Sequence, residues 1–248
     1  MSALSSIFLS RYSGVNGPPL ITLVRSLIGD SLSTATLCYI PTASYAFSPT
    51  SLKSRGEQRR RARYDAKGKA KLLSDDLGLE GESIVMEIDD PVKWPKEKIH
   101  QAISASQLVY LEGGETYYLQ RHLIESQFWS IARPLMEEQS ILLMGASAGG
   151  ICSGTSITTA EWKGWDKPEI AGEDFEWNSE RQHGAALADY KIFPHYVPHN
   201  HDVIISERQA SADEKVVCIQ DHEICVNIKD RESFMQNLEG DMYPLDLR

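Results

Sequence analysis

Short apolar runs without polar alternation constrain this chain more than any other feature. They occur in "TLCYIPTAS" (Thr36 to Ser44), "SIVMEIDD" (Ser83 to Asp90), "QLVYLEGG" (Gln107 to Gly114) and "SILLMGAS" (Ser140 to Ser147). "YKIFPHY" (Tyr190 to Tyr196) and "VVCIQDHEICVNI" (Val216 to Ile228) complete the set. Strands of this kind require a sheet buried on both faces. Helix candidates lie between them. "PPLITLVRSLIG" has apolar residues at helical spacing and ends on Gly29, and "PKEKIHQAISAS" opens with proline at a first-turn position. "ETYYLQRHLIES" and "FWSIARPLMEE" follow Gly114. The alternation predicts an α/β fold, a mostly parallel central sheet with helices on both faces. The two closely spaced runs in the last third predict an antiparallel C-terminal portion. No repeat or low-complexity linker divides the 248 residues, which read as one domain, 1–248.

Charge narrows the function. The formal net charge is −10, which disfavours a nucleic-acid partner. Against this background "KSRGEQRRRARYDAKGKAK" (Lys53 to Lys71) is strongly basic. It reads as a solvated helix face over the sheet, with a nucleic-acid arm or acidic-substrate patch as the alternative. No apolar run approaches the roughly 20 residues of a membrane span. The N-terminal "MSALSSIFLSRYSG" has too short an apolar run and no basic region, so it does not read as a secretory signal. Cys38, Cys152, Cys218 and Cys225 form no CxxC pair; they read as reduced thiols of a cytoplasmic protein rather than a zinc site.

The stretch "ILLMGASAGGICSG" (Ile141 to Gly154) carries the chemistry. Gly-x-Ser-x-Gly between a buried strand and a helix is the nucleophile-elbow pattern: small neighbours let the chain turn sharply and project the serine hydroxyl. A tight strand–helix turn with an incidental serine is the other reading. Ser147 needs a base, and there are seven histidines. His100 and His122 fall on amphipathic helices and read as surface residues; His183 is in a polar loop. His195 follows a short strand, where α/β sites form. His199 and His201 make an H-x-H pair without an evident acidic or cysteine partner. The orienting carboxylate is Asp221, at a break between two apolar runs, or Glu161 in "SITTAEW". Gly113 and Gly114 bring bare backbone N–H groups to a strand end, where they either complete an oxyanion hole with Ala148 or simply turn the chain.

Taken in order, "YIPTAS", "LEGGETYYL", "GASAGG", "ADYKIFPHY" and "CIQDHE" resemble landmarks of the peptidase E (aspartyl dipeptidase) and cyanophycinase family of serine peptidases, over about Thr36 to Ile228. The resemblance implies a Ser-His-acid peptidase on a class I glutamine amidotransferase-like sheet. It implies Ser147 as nucleophile, His195 as general base and Asp221 as orienting acid, with Glu161 near another acidic position sometimes assigned to the triad. Gly114 and Ala148 become the oxyanion donors, and Glu115, Thr116 and Thr158 fall at substrate-binding positions. A short peptide is the implied substrate, with no metal or cofactor, no nucleic acid and no membrane; the protein is expected as a monomer or homodimer.

Three departures bear on specificity. Glu112 replaces a glycine, Glu115 replaces the usual asparagine, and Thr158 stands where peptidase E has an arginine for the substrate aspartate. Losing a cation and gaining carboxylates disfavours an acidic substrate side chain. The readings are a serine exopeptidase on short peptides, a cyanophycinase-like hydrolase of an Asp-Arg polymer or dipeptide, and a non-catalytic binding protein on the same fold. The acidic, aromatic segment Gly164 to Gly184 reads either as a pocket wall or as a surface loop.

Overall fold

A computed structural model describes residues 5–12, 17–46, 53–81, 83–209, 215–228, 233–237, 239–245 and 247–248. The strands are β1 (Ser5–Leu9), β2 (Leu37–Ile40), β3 (Ile84–Val85), β4 (Leu108–Leu111), β5 (Leu142–Ala146), β6 (Lys191–Phe193), β7 (Val216–Cys218), β8 (Ile224–Ile228), β9 (Phe234–Gln236) and β10 (Met242–Pro244). The helices are α1 (Gly17–Ile28), α2 (Arg55–Leu77), α3 (Lys96–Ser104), α4 (Thr116–Glu125), α5 (Phe128–Gln139), α6 (Ala148–Ser153) and α7 (Asp202–Gln209).

The main sheet runs β10-β9-β8-β1-β5-β4-β2-β3. Pairings from β1 through β5, β4 and β2 to β3 are parallel, and those from β1 through β8 and β9 to β10 are antiparallel. The mostly parallel sheet with an antiparallel C-terminal portion is therefore as expected. Successive side chains alternate between two cores. Phe8, Cys38, Ile40, Val109, Leu111 and Leu143 pack with α3, α4, α5 and α6 on one face. Ile7, Leu9, Leu37, Tyr39, Leu108, Tyr110 and Met144 pack with α1 and α2 on the other. Both positions of each strand pair are thus apolar, which is why the sequence runs lack alternation.

Several elements differ from expectation. The N-terminal apolar run, too short for a signal, supplies β1, which lies between β5 and β8. "YKIFPHY" does not join the main sheet: β6 pairs in parallel with β7 in a separate two-stranded sheet. The closely spaced runs β7 and β8 consequently belong to different sheets and form no hairpin, because β7 takes β6 as its partner and β8 takes β1. Pro95 is the N-cap of α3, just outside the helix. His122 is not a plain surface residue: its side chain is 15% exposed and sits beside Glu125.

The basic stretch forms most of α2, and its cations reach carboxylates on neighbouring segments. Arg59 pairs with Asp89, whose side chain is fully buried. Arg63 Nε lies 2.6 Å from Glu87, which Lys93 meets on the other side at 2.7 Å. Lys69 pairs with Glu112 at the end of β4. A capping box starts the helix, with Ser54 and Glu57 bonding each other's backbone N–H, and Gly78 ends it in a left-handed conformation. The expected solvated face is thus also a set of counter-ions for buried carboxylates.

Phe8 tests the structural weight of β1. It is fully buried, and Phe8→Ala is expected to destabilise the protein by about 3–5 kcal/mol in a denaturant melt. A loss near zero would contradict the placement of β1 within the sheet.

Candidate active site

β5 is a fully buried strand that must turn directly into α6. Ser147 is the pivot, with φ 47° and ψ −112°, a conformation that strains a residue bearing a Cβ. Its N–H donates to Leu9 O at 2.8 Å, and its C=O accepts from Ile151 N–H at 2.9 Å. The flanking glycines allow α6 to approach. A Cβ on Gly145 would lie 2.8 Å from the Gly149 backbone, and one on Gly149 would collide with the Leu111 carbonyl. The sequence thus folds into an elbow because bulk is absent on both sides of the serine.

Three side chains meet there. His195 Nε2 lies 3.1 Å from Ser147 Oγ, and His195 Nδ1 lies 2.7 Å from Asp221 Oδ1. With Nδ1–H donated to the carboxylate, the Nε2 lone pair faces the serine hydroxyl. His195 follows β6 with a positive φ of 53°, and its N–H donates to Ser10 Oγ at 2.8 Å. Asp221 occupies the turn between β7 and β8 and also pairs with Arg11. Glu161 is placed elsewhere: it accepts a hydrogen bond from Tyr117 Oη.

Of the other expected site residues, Gly113 and Gly114 line the cavity that opens at Ser147, whereas Glu115, Thr116 and Thr158 are not among its lining residues. Gly113 abuts the serine, for a Cβ there would lie 3.0 Å from Ser147 Cβ. Gly114 has φ 149° and packs so closely on Ala43 that no side chain fits. Ala148 is the first residue of α6. Glu115 caps α4, accepting from Tyr118 N–H at 2.6 Å and from Lys167 N–H at 3.0 Å. Thr116 donates its hydroxyl to Asp166. The Thr158 hydroxyl accepts from Nζ of the buried Lys191 at 2.7 Å. Glu112 is buried, paired with Lys69 and approached by Ser44 Oγ at 3.3 Å.

A cavity of about 480 Å³ opens beside Ser147 and His195. Its walls include Tyr12, Tyr39, Tyr110, Leu72 and Leu73, with Arg11, Lys69 and Glu112 as charged members. The acidic, aromatic segment Gly164 to Gly184 contributes no residue to that lining, and its Trp165 is exposed. The Trp165 ring lies 6.1 Å from the His195 ring. Lys163 reaches over Trp165 and Phe193, at 4.8 and 4.2 Å from their ring centroids, and donates to Pro194 O. Burial pushes the Lys163 ammonium down to about 8. His201 Nδ1 accepts from Val197 N–H at 3.0 Å. Among the described residues no group of three or more His, Cys, Asp or Glu could hold a metal ion.

Ser10, Arg11, Lys163 and Lys191 were not singled out by sequence reasoning. The first two adjoin the Ile7-Phe8-Leu9 run, whose apolar character was the available strand signal. The lysines carry no local pattern; only the folded chain brings them to the site.

Burial, with the charge of Asp166 as a further cause, pushes the Glu115 carboxyl up to about 7 from its ordinary 4.5. Burial also raises Asp166. Folded Glu115 therefore holds its proton to higher pH than unfolded Glu115, so its contribution to stability declines as pH rises from about 4.5 to about 7. The thermal midpoint is expected to fall more steeply across that window in the wild type than in Glu115→Gln. Equal slopes would contradict the assignment.

Comparisons with known proteins bear on the family and the fold. The sequence model of peptidase family S51 matches residues 8–235. A search of curated proteins gives no match. Among solved structures, the chain is similar to a protein provisionally described as peptidase E from Listeria monocytogenes EGD-e. That match has TM-score 0.65 and 18% identity, and covers 95% of this chain and 99% of the other. It is also similar to a peptidase from an acI-B1 actinobacterium, with TM-score 0.60 and 17% identity, covering 100% of this chain and 94% of that one.

Proposed function

The chain belongs to peptidase family S51 and is a serine peptidase, and from that premise we propose that it acts as an exopeptidase on short peptides through Ser147, His195 and Asp221. The observation that carries the reading is the continuous hydrogen-bonded path from Ser147 Oγ through the His195 ring to Asp221, at 3.1 and 2.7 Å. Ser147 Oγ attacks the scissile carbonyl carbon while its proton passes to His195 Nε2. The tetrahedral oxyanion is stabilised by the N–H groups of Gly114 and Ala148. Collapse breaks the C–N bond, and the imidazolium returns the proton to the departing amine. Water, deprotonated by His195, then attacks the acyl-enzyme and frees Ser147. Asp221 fixes the tautomer and stabilises the imidazolium. Glu161, engaged by Tyr117, takes no part in proton transfer.

The substrate side chain is proposed to be neutral. Lys69 and Glu112 on the cavity wall pair with each other, and Arg11 on the wall pairs with Asp221, so each of these charged wall residues has a counter-ion. Tyrosines and leucines supply much of the remaining wall. An arginine side chain would be drawn to the extra carboxylates Glu112 and Glu115. The first is paired with Lys69 and the second is committed to two backbone N–H groups. Three buried free cysteines fit a reducing, cytoplasmic compartment.

The test is hydrolysis of a dipeptide library. Ser147→Ala is expected to lower kcat by about 10⁴–10⁶-fold with the fold intact, and Asp221→Asn by about 10³–10⁴-fold. Glu161→Gln should remain near wild type. Undiminished turnover in Ser147→Ala, or a larger loss in Glu161→Gln than in Asp221→Asn, would overturn the assignment.

A further inference from the structure

The nucleophile and its two partners lie on different sheets. Ser147 ends β5 of the main sheet, whereas His195 follows β6 and Asp221 follows β7 of the two-stranded sheet. Their alignment therefore depends on what ties one sheet to the other at this end. Three consecutive residues at the end of β1 make contacts to all three groups. Leu9 O accepts the Ser147 N–H at 2.8 Å. Ser10 Oγ accepts the His195 N–H at 2.8 Å and donates to Ile219 O at 2.7 Å, with Gln220 O at 3.2 Å. The Arg11 guanidinium pairs with the Asp221 carboxylate.

Ser10 is fully buried. Its hydroxyl has one proton and two lone pairs, so it can join a donor on one segment to an acceptor on another. Here the donor is the backbone of His195 and the acceptor lies in the segment that leads to Asp221. Ile219 O also accepts from Tyr196 N–H at 3.0 Å, so the same carbonyl steadies the residue after His195. His195 holds its ring toward Ser147 from a positive-φ backbone, a conformation that persists only where its surroundings enforce it. Arg11 acts at the other end, on the Asp221 oxygen opposite the one that meets His195.

We propose that Ser10 and Arg11 are positioning residues of the hydrolytic site: Ser10 sets the backbone of His195 against Ser147 across the two sheets, and Arg11 sets the rotamer of Asp221. The inference rests on the serine-peptidase reading above. It adds that β1 supplies the gauge by which the three groups are spaced. A shift on the order of 1 Å in such a constellation lowers a rate by about 10²-fold.

The test uses a fluorophosphonate probe, with labelling of Ser147 followed by mass mapping, and proton NMR of the His195 Nδ1–H resonance at low field. Ser10→Ala is expected to slow labelling by about 10- to 100-fold and to broaden or remove the low-field resonance, with the circular dichroism spectrum unchanged. Arg11→Gln should slow labelling, and Arg11→Lys should restore it, since the lysine retains the charge. Wild-type labelling and an unchanged resonance in Ser10→Ala and Arg11→Gln would overturn the proposal. If Ser10→Ala fails to fold, the largely exposed Arg11 decides through its two variants. If the wild type is not labelled, the serine-peptidase reading fails instead. The resonance then decides the positioning claim: lost in Ser10→Ala it stands, retained in both variants it falls.

Discussion

The turn at Ser147 is the constraint on which the rest of the site depends. A residue with a Cβ is held at φ 47° and ψ −112° between a buried strand and a helix. That conformation is unfavourable in isolation and must be enforced by neighbours. Leu9 O holds its N–H, Ile151 N–H meets its carbonyl, and Gly145 and Gly149 let the helix lie against the strands without side chains between them. The hydroxyl is therefore presented to His195 rather than folded back onto its own backbone.

Charge is arranged around this turn in compensated pairs. The protein is acidic, yet α2 is basic, and these facts have one explanation. Buried or part-buried carboxylates at the strand ends need counter-ions, since an unpaired buried charge is strongly unfavourable. Arg59 serves Asp89, Arg63 and Lys93 serve Glu87, and Lys69 serves Glu112. The last pair lies at the cavity wall, so neutralising a buried acid also shapes what the cavity can accept.

The sequence exposed the elements whose signals are local. Unbroken apolar runs marked β2, β4 and β5 because both faces of those strands meet apolar layers. The small residues around Ser147 marked the elbow because its geometry excludes bulk. What remained hidden depends on pairing between distant segments. β1 is a five-residue strand, and nothing in "SSIFL" announces that it lies between β5 and β8. Strand character in "YKIFPHY" was legible, but the choice of β7 as its partner was not. For the same reason Asp221 and Glu161 were equivalent by spacing, and only Asp221 is brought to His195. Ser10 and Arg11 were invisible because the contacts that give them their roles lie 185 to 210 residues away in sequence.

The central claim is that Ser147 is an activated nucleophile. Its most direct test is rapid-mixing kinetics with p-nitrophenyl acetate, followed by acid quench and mass mapping of the acetylated residue. The account predicts a burst of nitrophenol approaching about one equivalent per chain, a slower steady state, and acetate on Ser147. Absence of a burst, with acetate scattered over surface lysines and Ser147 unmodified, would contradict it.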